Sequence, residues 1–177
     1  MLSRRLLRVK VMQMLYAHNQ SAEVSYESID KELQNSVSKS HELYHLMMLL
    51  PVALKRLALK RIENGKNKIR PTQEELNPNL KFVENRFIKE IENNIQLNEI
   101  INKTGLSWDN DDDLVKIIFN GMTATDMYKE YMESDTHSFE EDQKFIIRFF
   151  TKELPKIELM YEALESKSIY WNDDVEF

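Results

Sequence analysis

Apolar residues recur at every third and fourth position along nearly all of this 177-residue chain, and only three glycines and four prolines interrupt them. That spacing matches the turn of an α-helix, and no stretch shows the two-residue alternation of a half-buried strand. The sequence therefore reads as all-α, a helical bundle with long helices bent at proline. At this length folding removes about 70% of the unfolded chain's surface, enough for a single all-helical domain over residues 1–177.

The local signals predict where the helices start and stop. Ser3 is suited to cap a first helix reaching about His18. A second begins near Ser25 and carries Leu43, Met47, Leu50, Leu54, Leu57 and Ile62 on one side. Pro51 lies inside that stripe and should bend or divide it, because the ring removes an amide donor and crowds the carbonyl four residues back. Gly65 fits a helix end. Residues 64–79 are polar and hold two of the four prolines, the composition of a mobile connection. Leu80, Val83, Phe87, Ile91 and Ile95 then line one stripe of a third helix closing near Gly105. Residues 107–113 form a turn whose aspartates suit the positive end of the next helix. Gly121 should interrupt that helix, and a short one follows from Thr125 to Glu133. Ser138 and Glu141 have capping-box spacing for the last, which bends again at Pro155.

Charge and composition narrow the chemistry. The absence of cysteine excludes disulfides, thiolate nucleophiles and sulfur-ligated metal. No apolar run approaches the roughly 18 residues of a membrane span, and no secretory signal opens the chain, so a soluble cytoplasmic protein is expected. The net charge of −6 conceals a polarised distribution. Residues 51–70 carry Lys55, Arg56, Lys60, Arg61, Lys66, Lys68 and Arg70 against Glu63 alone. Residues 105–142 carry eleven acids against Lys116 and Lys129. An acidic chain can thus present a basic face, although such clusters also serve as solvated helix surfaces.

The string HELYH, residues 41–45, fits the zinc-peptidase pattern H-E-x-x-H. A third ligand is lacking: Met48, Leu49, Leu50 and Pro51 occupy the stretch that would supply it, and Glu63 lies about 27 Å along the same helical run. His41 and His45 are read as an accidental surface pair. The dispersed glycines form no phosphate loop and no serine sits in a nucleophile elbow. Neither an enzyme nor a cofactor or metal site is expected.

The first helix is the anomaly. Arg4, Arg5 and Arg8 lie within about 100° of one another on a helical wheel and oppose the helix dipole at its positive end. Such an arrangement makes sense where an anion sits, because free amides and guanidinium groups converge on one phosphate. Arginine stems covering apolar neighbours are the alternative. From Val9 onward only Lys10 and Gln13 break an apolar surface, so the helix is expected to pack centrally with its first two turns protruding.

The string R-R-x-x-R-x-x-x-x-Q-x-L-Y, formed by Arg4, Arg5, Arg8, Gln13, Leu15 and Tyr16, resembles the N-terminal signature of the transcription antitermination factor NusB family. The bent helix from Ser138 into SIYW, residues 168–171, is similar to that family's connecting helix and tryptophan region. Together they cover about a third of the chain, and the enlarged middle resembles a Bacteroidetes-type branch. The resemblance implies a non-enzymatic, all-helical protein that binds box A-like single-stranded RNA of ribosomal leader transcripts. Its partners would be the small-subunit ribosomal protein NusE and the RNA polymerase antitermination complex. Arg4, Arg5, Arg8, Lys10 and Tyr16 become the expected RNA-binding residues, with Leu6 standing where the family clusters another arginine. A helical protein-interaction module, or the RNA-binding domain of a ribosomal RNA methyltransferase, is the alternative. The family continues with a second helical subdomain, so the chain reads as a piece of a longer protein. Tyr170, Trp171, Val175 and Phe177 would then form an exposed apolar patch that a homodimer could cover.

Overall fold

The computed structural model describes residues 3–20, 25–171 and 174, and every regular element among them is helical. In chain order these are α1 (Arg4–Gln20), α2 (Tyr26–Lys66), α3 (Gln73–Leu76), α4 (Arg86–Glu92), α5 (Ile95–Thr104), α6 (Asp112–Ala124), α7 (Asp126–Glu133), α8 (Phe139–Arg148) and α9 (Glu158–Lys167). A wide π-turn, Phe149–Glu153, and a 3₁₀ turn, Leu154–Lys156, follow α8, and a second 3₁₀ turn, Ile169–Trp171, follows α9. Among the described residues no helix is long and apolar enough to cross a membrane.

Two compact units divide the chain. One comprises Met1–His45 with Met160–Phe177, the other Leu46–Leu159. The division falls inside α2 and not at residues 64–79, where composition suggests a break. Within that stretch Thr72 and Glu75 cap α3 reciprocally, Lys68 pairs with Glu75, and the Glu75 side chain packs over buried Gly65.

In the larger unit α2 continues through Pro51 as one unbroken helix. Proline leaves the Met47 carbonyl without its usual amide partner. One residue earlier, the Leu46 carbonyl accepts a buried bond of 2.8 Å from the Trp108 indole. Leu46, Leu50 and Leu54 face a core shared with Phe82, Ile88, Ile118, Met122, Phe149 and Leu154. Phe82 meets Phe119, Tyr128 and Phe145 edge-on or tilted, and Tyr131 stacks on Phe145 at 4.2 Å.

A buried polar network fixes the entry to α4. The Asn85 side chain accepts from the Ile88 amide at 2.9 Å and donates to the Tyr131 hydroxyl and the Asp142 carbonyl. The Tyr131 hydroxyl donates to Asp142 Oδ1 at 2.5 Å, while Asp142 Oδ2 accepts from the Arg86 amide. Burial and the adjacent Asp142 carboxylate push the Tyr131 phenol far up, and burial alone pushes Tyr128 up to about 12. Lys81 extends the network, pairing with Glu141 at 3.0 Å and lying over the Tyr131 ring.

Three sequence expectations are corrected here. The stripe from Leu80 to Ile95 is not one helix: 81–84 form a turn, α4 ends at Glu92, and Asn94 caps a separate α5 by accepting from the Leu97 amide. Gly121 does not interrupt α6; it sits within the helix, facing the Ile157 side chain. The run past Pro155 is broken and not simply bent, because the π-turn and 3₁₀ turn separate α8 from α9.

Candidate nucleic-acid interface

The smaller unit holds the residues that the sequence singles out. Ser3 caps α1, its hydroxyl accepting from the Leu6 amide at 3.1 Å, and no acidic residue occupies the first turn. Arg4, Arg5 and Arg8 are all exposed on the first two turns. Among the described residues neither Arg4 nor Arg8 is held in an ion pair.

Lys10 lies elsewhere, and its assignment as an RNA contact is corrected. Its side chain is 3% exposed, and Nζ pairs with Asp174 at 2.8 Å and donates to the Ser36 hydroxyl at 2.9 Å. The Ser40 hydroxyl donates to the other Asp174 oxygen at 2.5 Å. An ammonium enclosed by these oxygens presents no charge to a ligand. Sequence reading missed Ser36, Ser40 and Asp174; the serines at i and i+4 on α2 are a local signal, but nothing local points to an aspartate so far along the chain.

The expectation that α1 packs centrally also fails. Among its described residues only Leu6 and Lys10 are buried, whereas Val11, Met12, Leu15 and Tyr16 are exposed, Tyr16 to 69%. At about 100° per residue, Arg4, Arg8, Val11, Met12, Leu15 and Tyr16 share one sector roughly 140° wide, and Arg5 falls inside it. Leu6 and Lys10 occupy the opposite side. The exposed face is thus cationic over its first two turns and apolar and aromatic over the next two.

Tyr170 and Trp171 do not form the exposed apolar patch foreseen for them. Trp171 is buried, its indole donating to the Lys39 carbonyl at 2.8 Å. The Tyr170 hydroxyl bonds Glu32 and accepts from Asn35, and the Glu32 carboxylate holds its phenol above the usual range. Val175 and Phe177 lie outside the described residues.

His45 Nδ1 bonds the His41 carbonyl at 2.6 Å, and no group of three potential metal ligands occurs among the described residues. Comparison with protein families, with curated proteins and with solved structures finds no match for this chain.

Proposed function

We propose that this chain is a non-enzymatic RNA-binding factor of the NusB antitermination type, acting in the cytoplasm on single-stranded ribosomal leader RNA. One observation carries the reading: a capped helix N-terminus lacking acids carries Arg4 and Arg8, exposed and unpaired among the described residues, on the same face as Tyr16. Each cation there costs about 0.3–1 kcal/mol against the dipole until an anion arrives. A single strand laid along α1 places phosphates on Arg4, Arg5 and Arg8 and bases against Met12, Leu15 and Tyr16. Stacking on Tyr16 adds about 1–3 kcal/mol per base.

The basic ribosomal protein NusE within the polymerase complex is the partner the resemblance proposes. Fluorescence anisotropy with a single-stranded RNA tests the reading. Substituting Arg4→Glu and Arg8→Glu should remove most of the affinity and lower the log–log salt slope by about 1.4, at roughly 0.7 per phosphate. Unchanged affinity and slope would discard the site.

A further inference from the structure

The basic stretch of α2 has no role in that reading. Arg56, Lys60 and Arg61 line one wall of a cleft of about 320 Å³ within the larger unit, and Lys116 of α6 lies on the other. Ala53, Leu57 and Val115 add apolar lining, and Asn64 lines it too. Helix stability does not account for these cations. They precede the last turn of α2, beyond the reach of its negative end, and Arg56 and Lys60 are like charges one turn apart.

Their internal partners are weak. Arg56 faces Asp109 at 3.8 Å with both side chains largely exposed, and Lys60 has no ion pair among the described residues. Lys116 bonds Asp113 at 2.9 Å on the surface, and Arg61 reaches Asn120 at 2.8 Å with its guanidinium over Phe119. Surface pairs of this kind exchange readily for a stronger anion.

We propose that this cleft is a second subsite for single-stranded RNA, deepening the RNA-binding reading on which it rests. Arg56 and Lys60, about 6 Å apart along the helix, match the phosphate repeat of an extended strand, and Lys116 takes a further phosphate. The bases turn over Ala53, Leu57 and Val115. Asp109 and Asp112, which also line the cleft, accept from exocyclic amino groups, as carboxylates do from cytosine. Those two carboxylates decide the occupant. They disfavour an acidic peptide, which has no donors for them, whereas a nucleotide offers anionic oxygens to Arg56, Lys60 and Lys116 and amino donors to Asp109 and Asp112.

The test compares three 177-residue proteins, wild type and two variants, by anisotropy with a mixed-sequence single-stranded RNA over a salt series. Circular dichroism verifies that each is folded, and polyglutamate serves as competitor. Combining Arg56→Gln, Lys60→Gln and Lys116→Gln should weaken binding at least tenfold and lower the salt slope by about 2. The Arg4→Glu, Arg8→Glu protein should show its own, separate loss. Wild-type affinity and slope in the glutamine protein overturn the cleft proposal, whatever the α1 variant does. A loss confined to the glutamine protein upholds the cleft and discards the α1 site. Polyglutamate displacing RNA at equal charge concentration would reassign the cleft to an acidic protein.

Discussion

Replacing Lys10 by Met retains most of the buried stem and removes only the ammonium, which makes it a clean probe of the pair with Asp174. Both side chains are at most 3% exposed and their charges are 2.8 Å apart. At an effective dielectric of 20 the gross attraction is about 6 kcal/mol, most of it offset by desolvation of the two ions. The net value of the pair over an apolar replacement is therefore small, but the cost of breaking it is not. In Lys10→Met the Asp174 carboxylate keeps Ser40 and loses its counter-charge, and such breaks cost about 3–5 kcal/mol. Against a typical total of about 5–15 kcal/mol this is a large share. At roughly 2–4 °C per kcal/mol in a chain of this size, the melting temperature should fall by about 10 °C. Urea unfolding of Lys10→Met, Asp174→Leu and the double variant closes a thermodynamic cycle. The double variant should recover to within about 1 kcal/mol of wild type, so the coupling is several kcal/mol. A single-variant loss below about 1 kcal/mol, or a double-variant loss equal to the sum, would refute the enclosed pair. Folded Lys10→Met should bind RNA as wild type does, in contrast to the Arg4 and Arg8 variants.

Burial raises the Glu141 carboxyl, but hydrogen bonds from Ser134 and Lys81 outweigh it and hold the group below the usual carboxylate range. A depressed carboxyl stabilises the fold above its ordinary pKa and loses that contribution as pH falls. Glu141→Gln should therefore be less stable than wild type near neutrality and lose less below about pH 4.5. Parallel acid limbs in urea midpoints would contradict this. Gly105 ends α5 at φ +70° with open space where a side chain would lie. Gly105→Ala should cost about 1–2 kcal/mol from backbone conformation alone, and Gly105→Asn clearly less, both measurable by thermal melting.

What the sequence made legible was local. The hydroxyls of Ser3, Ser25, Thr125 and Ser138 cap helices where expected, and Gly105 adopts the left-handed end. Each signal acts within one turn of chain. The division between α4 and α5 was not legible, because Phe87, Ile91 and Ile95 keep helical spacing across it and only the Asn94 cap marks the break. Within the candidate site, Arg4, Arg5, Arg8 and Tyr16 lie on one exposed face, a consequence of helical geometry once the helix exists. The inward turn of Lys10 depends on an aspartate at position 174, a pairing that no periodicity encodes. Nor could apolar spacing reveal that Val11, Met12 and Leu15 stay uncovered, since an amphipathic stripe looks the same whether or not a neighbour packs against it.

The π-turn at Phe149–Glu153 leaves a mark on how this protein tolerates changes in length. A helix wound five residues to the bond carries one residue more than ordinary winding needs. Deleting one residue there would remove the bulge and restore regular winding, with the chain on either side held near its present face. Leu154, now buried, would stay in the core. A one-residue deletion at this point should therefore be tolerated, whereas the same deletion within α8 would rotate everything beyond it by about 100°.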